Sequence, residues 1–551
     1  MKTIIDKLLY LFLICPIALL SQDIGTTEIK VLEGFKASVP LAKRLNQNAI
    51  FADTIKQDKT QEYNIYDFYL HSDYELKSLS PVRVKADKLD KLYSTSISLG
   101  LGYPIASKIN LLYNSKRSKN FTYGLMYDHF NNKISIDSKN AGSSNNIVYA
   151  YGKSIRGNSV FVASLDYERK SAYSYGHEIL DINSEKMLNR FSYTRLMVTA
   201  RSINFSKDQL NYKTNIFFSD LNERSENRFH LSSVLTKKIR SYPLKLDISY
   251  DNYSNYNSNQ QIVGLESKDV QLISLMPSLQ MTRFNIDFNF GLGLNYESES
   301  DFDVLPSLIG TIELVQDILL ISSGLESIKE RNTYKSLSDN NLFIHALGTN
   351  QEILFHDFNQ DLRTTESKEF FINIRNVLGK DEVWNGGVRY GYISNLPFFN
   401  NEPTIYNRFL VNYADVWQLL ISSSYERKIR RGIYLKLNGR YFSWGDQKIS
   451  HKPKLFIDFS IPINLREKII LEPEIAYVGN QSSFVLLEPE AKYHEYKLDA
   501  RLYANLVLRY TYSSQLSSYF ILNNITNSKN EVLRGYRDIG FNTYFGLTYS
   551  L

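Results

Sequence analysis

Eight histidines are the first residues to test for chemistry: His71, His129, His177, His230, His345, His356, His451 and His494. No two of them share a strand face at metal-ligand spacing, so zinc or iron has no support. The single cysteine, Cys15, falls in the apolar leader described below. The processed chain is therefore expected to lack disulfides and thiolate chemistry. There is no G-x-S-x-G elbow and no phosphate-binding glycine loop. The expectation is no enzyme, no metal and no cofactor. What is left is charge inside apolar patterns, at Arg389, Lys436, Arg440, Asp499, Arg501 and Arg509.

Those charges are placed by the elements that carry them. In a strand, successive side chains point to opposite faces. Tyr93, Thr95, Ile97, Leu99, Leu101 and Tyr103 alternate with serines and glycines, including Gly100 and Gly102. Leu244, Leu246, Ile248 and Tyr250 alternate with Lys245, Asp247 and Ser249. Phe284, Ile286, Phe288, Phe290, Leu292, Leu294 and Tyr296 form another such face, and Leu498, Ala500, Leu502, Ala504, Leu506, Leu508 and Tyr510 a further one. Runs this long exceed the ~5–6 residues of soluble strands. They match membrane strands, with lipid on one side and a polar lumen on the other. Charge on the lipid face would cost about 2–4 kcal/mol near the midplane for Arg or Lys. The six charged residues are therefore expected to face the lumen. There they solvate the wall, pair with one another, or form a cluster that meets a substrate.

Composition agrees. The chain has 551 residues, with 40 Tyr and 31 Phe against 13 Pro. Tyrosine, apolar with one wet end, suits a membrane–water interface. Mean hydropathy is only −0.30, because lumen-facing polar residues offset lipid-facing ones. A formal charge of +6 is too small to argue for nucleic acid. The lysines in 1–7, the apolar run 8–20, and Ser21-Gln22 read as a signal peptide over 1–22. That run is shorter than the ~20 residues a membrane helix needs. The remainder divides into a periplasmic segment, 23–91, and a barrel, 92–551.

Short connections near 154–158, 207–209, 240–243, 316–317, 466–468 and 513–515 alternate with long polar ones near 138–146, 172–186, 254–268, 330–350, 395–406 and 479–495. Barrels have short periplasmic turns and long outer loops. The predicted fold is all-β: a transmembrane antiparallel β-barrel of about 22 strands, within a range of roughly 16 to 22, in the bacterial outer membrane.

The last strand carries Phe541, Thr543, Phe545, Leu547, Tyr549 and Leu551 on one face. Its Tyr544-x-Gly546-x-x-Tyr549-x-Leu551 pattern resembles the signal read by the outer-membrane insertion machinery, with Leu551 where an aromatic is usual. The region from Ser80 onward also resembles the TonB-dependent-receptor-like barrels. The likeness rests on Lys91-Leu92-Tyr93, Gly100-Leu101-Gly102-Tyr103, His451-Lys452-Pro453, Asn523-Asn524, Gly535-Tyr536-Arg537 and Gly546-Leu547-Thr548-Tyr549. It implies an outer-membrane receptor or transporter. True members carry a folded plug ahead of the barrel, and 23–91 is too short to be a complete one. Within it, Thr27–Val31 (TEIKV) faintly resembles a TonB-contacting box.

Three functions follow, in order: transport across the outer membrane without a plug of its own; a scaffold for other envelope proteins, docked through 23–91; and a barrel enzyme built from strand tips. The expected partners are outer-membrane lipid, the insertion machinery and a periplasmic or envelope protein bound through 23–91, with no nucleic acid.

Overall fold

The computed structural model describes residues 92–176, 187–203, 209–222, 226–240, 242–255, 269–298, 300–344, 362–401, 408–487 and 492–551. The leader, the segment 23–91 with its TEIKV string, and His71, His177, His345 and His356 lie outside the described residues.

Most of the described strands form one closed antiparallel sheet, and three two-stranded hairpins stand apart from it. Twenty-three segments are hydrogen-bonded in sequence order. Leu455–Ser460 and Ile463–Leu465 are halves of one strand, interrupted at Pro462, which has no N–H to give. The barrel therefore has 22 strands. Thr95–Tyr103 pairs with Asn542–Ser550 and closes the cylinder. Closure leaves the sheet without a first or last edge strand, as hydrocarbon requires.

The alternation sorts as membrane strands require. Leu99, Leu101 and Tyr103 are exposed outward, whereas Gly100 between them is buried. Phe290, Leu292 and Tyr296 are exposed, and Gly293, Asn295 and Glu297 are buried on the other face. The outer surface is thus an apolar band, with Tyr390, Tyr392 and Trp417 grouped on it as a girdle, their ring centroids 5.4–5.5 Å from the tryptophan.

Short turns gather at the end that also holds the first strand's start and the last strand's finish. Phe284 and Asn285 have φ of 54° and 59°, the mark of a type I′ hairpin. Phe284, expected on a strand face, is therefore a turn residue. The face Leu498–Tyr510 is also shorter than its alternation suggests. The barrel strand is Arg501–Thr511, and Leu498 is buried in a loop hairpin opposite Gln481. The other end carries the long loops. By the general rule for barrels the short-turn end faces the periplasm.

Two strands overshoot the rest. Glu382–Asn401 has 20 residues and Phe409–Arg430 has 22. Much of the loop expected near 395–406 is therefore strand. A bulge between Ile393 and Leu396 bends the ladder. Beyond it Ile393, Phe398 and Val416 pack on Trp444 and Ile449, an apolar cluster that supports the strands past the membrane.

One ladder stops while both of its strands run on. Ser300–Val315 pairs with Leu319–Arg331 only from Leu308↔Leu325 down to the short turn. Above that rung the backbone ladder between the two strands stops, and each remains paired with its other neighbour.

Candidate functional site: a lidded lumen

A short helical lid lies in the outer mouth. The chain leaves Arg331 and enters a short helix, Tyr334–Asn340. A capping box starts it: the Ser336 N–H donates to the Thr333 hydroxyl at 3.1 Å, and the Thr333 N–H to the Ser336 hydroxyl at 3.0 Å. The Glu226 carboxylate, from a strand far around the barrel, accepts the Tyr334 N–H at 2.8 Å. Lys335 reaches Glu168 and Asp339, each at 2.7 Å, and Lys170 reaches Asp339 at 2.7 Å. Burial alone would raise the Asp339 carboxyl, but Lys170 and Lys335 together hold it below the usual range. Beneath, Leu337, Tyr334 and Ile344 pack on Phe191, Leu221 and Val411. The helix is pinned to strands five to eight places around the barrel from its own.

An aromatic knot joins four outer loops beside the helix. Phe343 stacks on Tyr536 with centroids 4.1 Å apart. Tyr175 meets Tyr536 at 5.0 Å and Phe409 meets it at 5.5 Å. Each of these residues comes from a different outer loop or its edge. The Tyr175 hydroxyl donates to the Arg537 carbonyl at 2.8 Å. Burial pushes the Tyr175 and Tyr536 phenols up, so both stay protonated donors. His451 joins from another loop, edge-on to Phe409 at 5.3 Å. Its Nδ1 lies 2.8 Å from the Phe399 carbonyl, and its Nε2 accepts the Arg534 N–H at 3.3 Å. That pair of contacts assigns the neutral Nδ1–H tautomer. Burial, with the Arg534 charge beside it, pushes the His451 imidazole down to about 4.

Two groups line the inner wall below the lid. On one side Phe217 stacks on His230 at 4.7 Å, with the Arg228 guanidinium 5.1 Å and that of Arg195 5.9 Å from its ring. Arg228 and His230 share Asp251, at 2.8 and 2.7 Å, and Arg195 pairs with Asp166 at 3.1 Å. On the other side a recess of about 490 Å³ is lined by Asn373, Arg375, Ser422, Asn438, Arg440 and Asp458.

Five of the six charges singled out by sequence are spread along the barrel strands. Arg389 shares a rung with Phe371, lies 5.2 Å over its ring, and pairs with Glu326 at 3.3 Å and Glu369 at 3.5 Å. Lys436 is 3.8 Å from Glu426. Arg440 borders the recess and lies 5.3 Å over Phe456. Arg501 opens its strand, buried, and donates to the Glu531 carbonyl at 3.0 Å. Arg509 sits near the short-turn end, on rungs with Ile470 and Tyr519. Asp499 is not a wall residue: it is exposed in the link between the loop hairpin and the strand at Arg501. The last strand places Tyr544 and Gly546 on the inner face and Tyr549 and Leu551 outside, with Gly546 opposite Gly100 and the Leu551 N–H bonded to the Thr95 carbonyl at 2.8 Å.

Alternation gave no hint of the lid. A helix of seven residues is too short to show a period, and contacts such as Tyr175 with Arg537 join residues 362 positions apart. A signal existed nonetheless, because His451 and Tyr536, both within the family-like strings, are knot residues.

No protein-family model matches the sequence, and no curated protein matches it. Solved structures do. The ferric enterobactin receptor PfeA of Pseudomonas aeruginosa matches with a TM-score of 0.62 at 12% identity, over 84% of this chain and 81% of that one. The siderophore receptor PirA of Acinetobacter baumannii gives 0.62 and 12%, over 84% and 81%. The FrpB iron transporter of Neisseria meningitidis gives 0.62 and 9%, over 84% and 82%. At such identities the shared property is the fold, a closed 22-strand barrel of outer-membrane type.

Proposed function

We propose that this chain is a transport barrel of the TonB-dependent-receptor-like type, taking a ligand across the outer membrane into a lumen that its own loops close. The observation that carries the reading is the lid. A scaffold gains nothing from a helix anchored across its mouth by Glu226, Glu168 and Lys170, whereas a transporter needs its wide bore sealed between events. The fold shared with receptors and a transporter supports the same class. In this reading the barrel has no complete plug. The segment 23–91 serves as a periplasmic arm for a partner, and the wall charges, Arg389 and Arg440 foremost, meet the ligand.

Planar-bilayer conductance tests it. The full chain is expected to show rare, brief openings. Replacing 332–344 with a short glycine–serine linker is expected to give sustained large steps. If the lidless barrel is silent as well, the lumen is blocked elsewhere and the scaffold role replaces this one. Removing 23–80 from the lidless barrel then asks whether that segment occludes the bore.

A further inference from the structure

The missing rungs above Leu308 have a cause in sequence. Continuing the register of Leu308↔Leu325 would set Pro306 opposite Ser327, and Pro306 has no N–H to complete a rung. It would also set Asp303 opposite Glu330, a repulsive pair. Finally, it would set Lys329 beside Val304, whose side chain is exposed on the lipid face. Lysine there is costly. Instead Lys329 turns aside and ties the fork with charge, at 2.7 Å to Asp303 and 2.9 Å to Glu297, and Arg331 adds a contact to Glu297 at 3.5 Å. Ser327 donates to the Pro306 carbonyl at 3.3 Å.

The height of the fork follows from the rungs beneath it. Seven pairs separate the short turn from Leu308. At about 3.4 Å per residue and a tilt of about 45°, Leu308 lies about 17 Å above the short turn, against an apolar band about 25 Å tall. The fork therefore opens in the outer leaflet. Unpaired strand edges are tolerated at that depth only where they line a watered or occupied passage. Its outer lips are Phe302, Val304, Leu308 and Leu325, all exposed. The charged latch lies behind them.

We propose that this fork is a lateral portal, through which an amphiphile of the outer leaflet reaches the lumen, apolar tail along the lips and polar head along the latch. The proposal rests on the transport reading for its purpose, but not for its test. Strand Leu319–Arg331 runs directly into the lid, so the axial mouth can stay shut while the wall admits the ligand.

Cysteine labelling decides it, in a Cys15→Ser background. Ser307→Cys stands on the inner face just behind the fork, on a rung with Gly291; Ser232→Cys stands on the inner face of a distant strand, on rungs with Ser249 and Asn215. The probe is a membrane-resident N-hexadecyl maleimide, compared with a small hydrophilic maleimide. Ser307→Cys is expected to react about tenfold faster than Ser232→Cys with the alkyl probe only, and Lys329→Met is expected to raise that rate further by loosening the latch. Equal rates with the alkyl probe overturn the portal. So does complete spontaneous disulfide formation in a Val304→Cys/Lys329→Cys pair, because it shows a zipped ladder with opposed Cα atoms about 4.5–5.5 Å apart. Labelling needs no transport. A barrel that labels as expected yet never conducts sinks the transport reading and leaves the portal standing.

Discussion

Two seams in this barrel differ in the opposite sense from their covalent history. The closing seam joins strands from the far ends of the barrel domain, yet it is paired from Ser96↔Ser550 to Tyr103↔Thr543. The fork lies between consecutive strands joined by a tight turn, yet it is paired only in its lower half. The difference lies in what each rung carries. At the closing seam Gly100 faces Gly546, and the Tyr519 ring lies over both; a Cβ on either glycine would sit 2.2–2.3 Å from it. Small residues under a broad ring let the strands approach and fill the gap. At the fork, a proline, opposed carboxylates and a lysine that must avoid lipid keep the ladder from forming. Chain proximity brings strands together cheaply, but side chains decide whether they zip.

That contrast can be broken most severely at the base of the fork. Gly324 packs so closely that an added Cβ would meet the Leu308 carbonyl oxygen at 2.2 Å and the Ile309 Cα at 2.9 Å. Backbone cannot step aside as a side chain can. Gly324→Ala is expected to destabilise by about 3 kcal/mol, read as a lower denaturant midpoint for the heat-modifiable band, and to raise alkyl-maleimide labelling at Ser307→Cys. At the closing seam, Tyr519→Ala empties the cradle and is expected to cost about 2 kcal/mol. Unfolding at an unchanged midpoint would mean that the ring does not hold the seam.

Acid should separate both seams from the lid. Folded His451 titrates near 4, below its ordinary 6.5, so the opened loop binds the proton first. Closure is fully held above about pH 6.5 and lost as pH falls toward 4. Bilayer openings are expected to multiply across that window, and His451→Gln is expected to flatten the response while the denaturant midpoint hardly moves. The smallest effect belongs to Tyr519→Phe. The Tyr519 hydroxyl has no hydrogen-bond partner among the described residues, so its removal is expected to change stability by less than about 0.5 kcal/mol. A large loss there would reveal a partner for the phenol.

The wall was legible in the sequence because a period of two acts on every residue independently. Leu99 and Gly100, or Leu292 and Gly293, declare their sides without reference to anything distant. The same rule misread Phe284 and Asp499, where alternation runs on past the strand's end and only backbone geometry marks the stop. The lid was not legible. Glu226 capping a helix more than a hundred residues later follows no local pattern. The fork lies between these cases. Pro306 in the middle of a strand is a readable sign of a broken ladder. Its outcome depends on Glu330 and Lys329, whose facing partners only the register supplies.

The overshooting pair, Glu382–Asn401 and Phe409–Arg430, has a consequence for encounters at the cell surface. The strands Thr95–Tyr103 and Ala106–Asn114, nine residues each, end in a tight reversal with the cis Tyr103-Pro104 peptide. The rim is thus a parapet on one flank and a doorstep on another. A bulky visitor such as an antibody or a phage tail would touch the crest first and be turned toward the step, so epitopes and adsorption sites should concentrate on the tall flank.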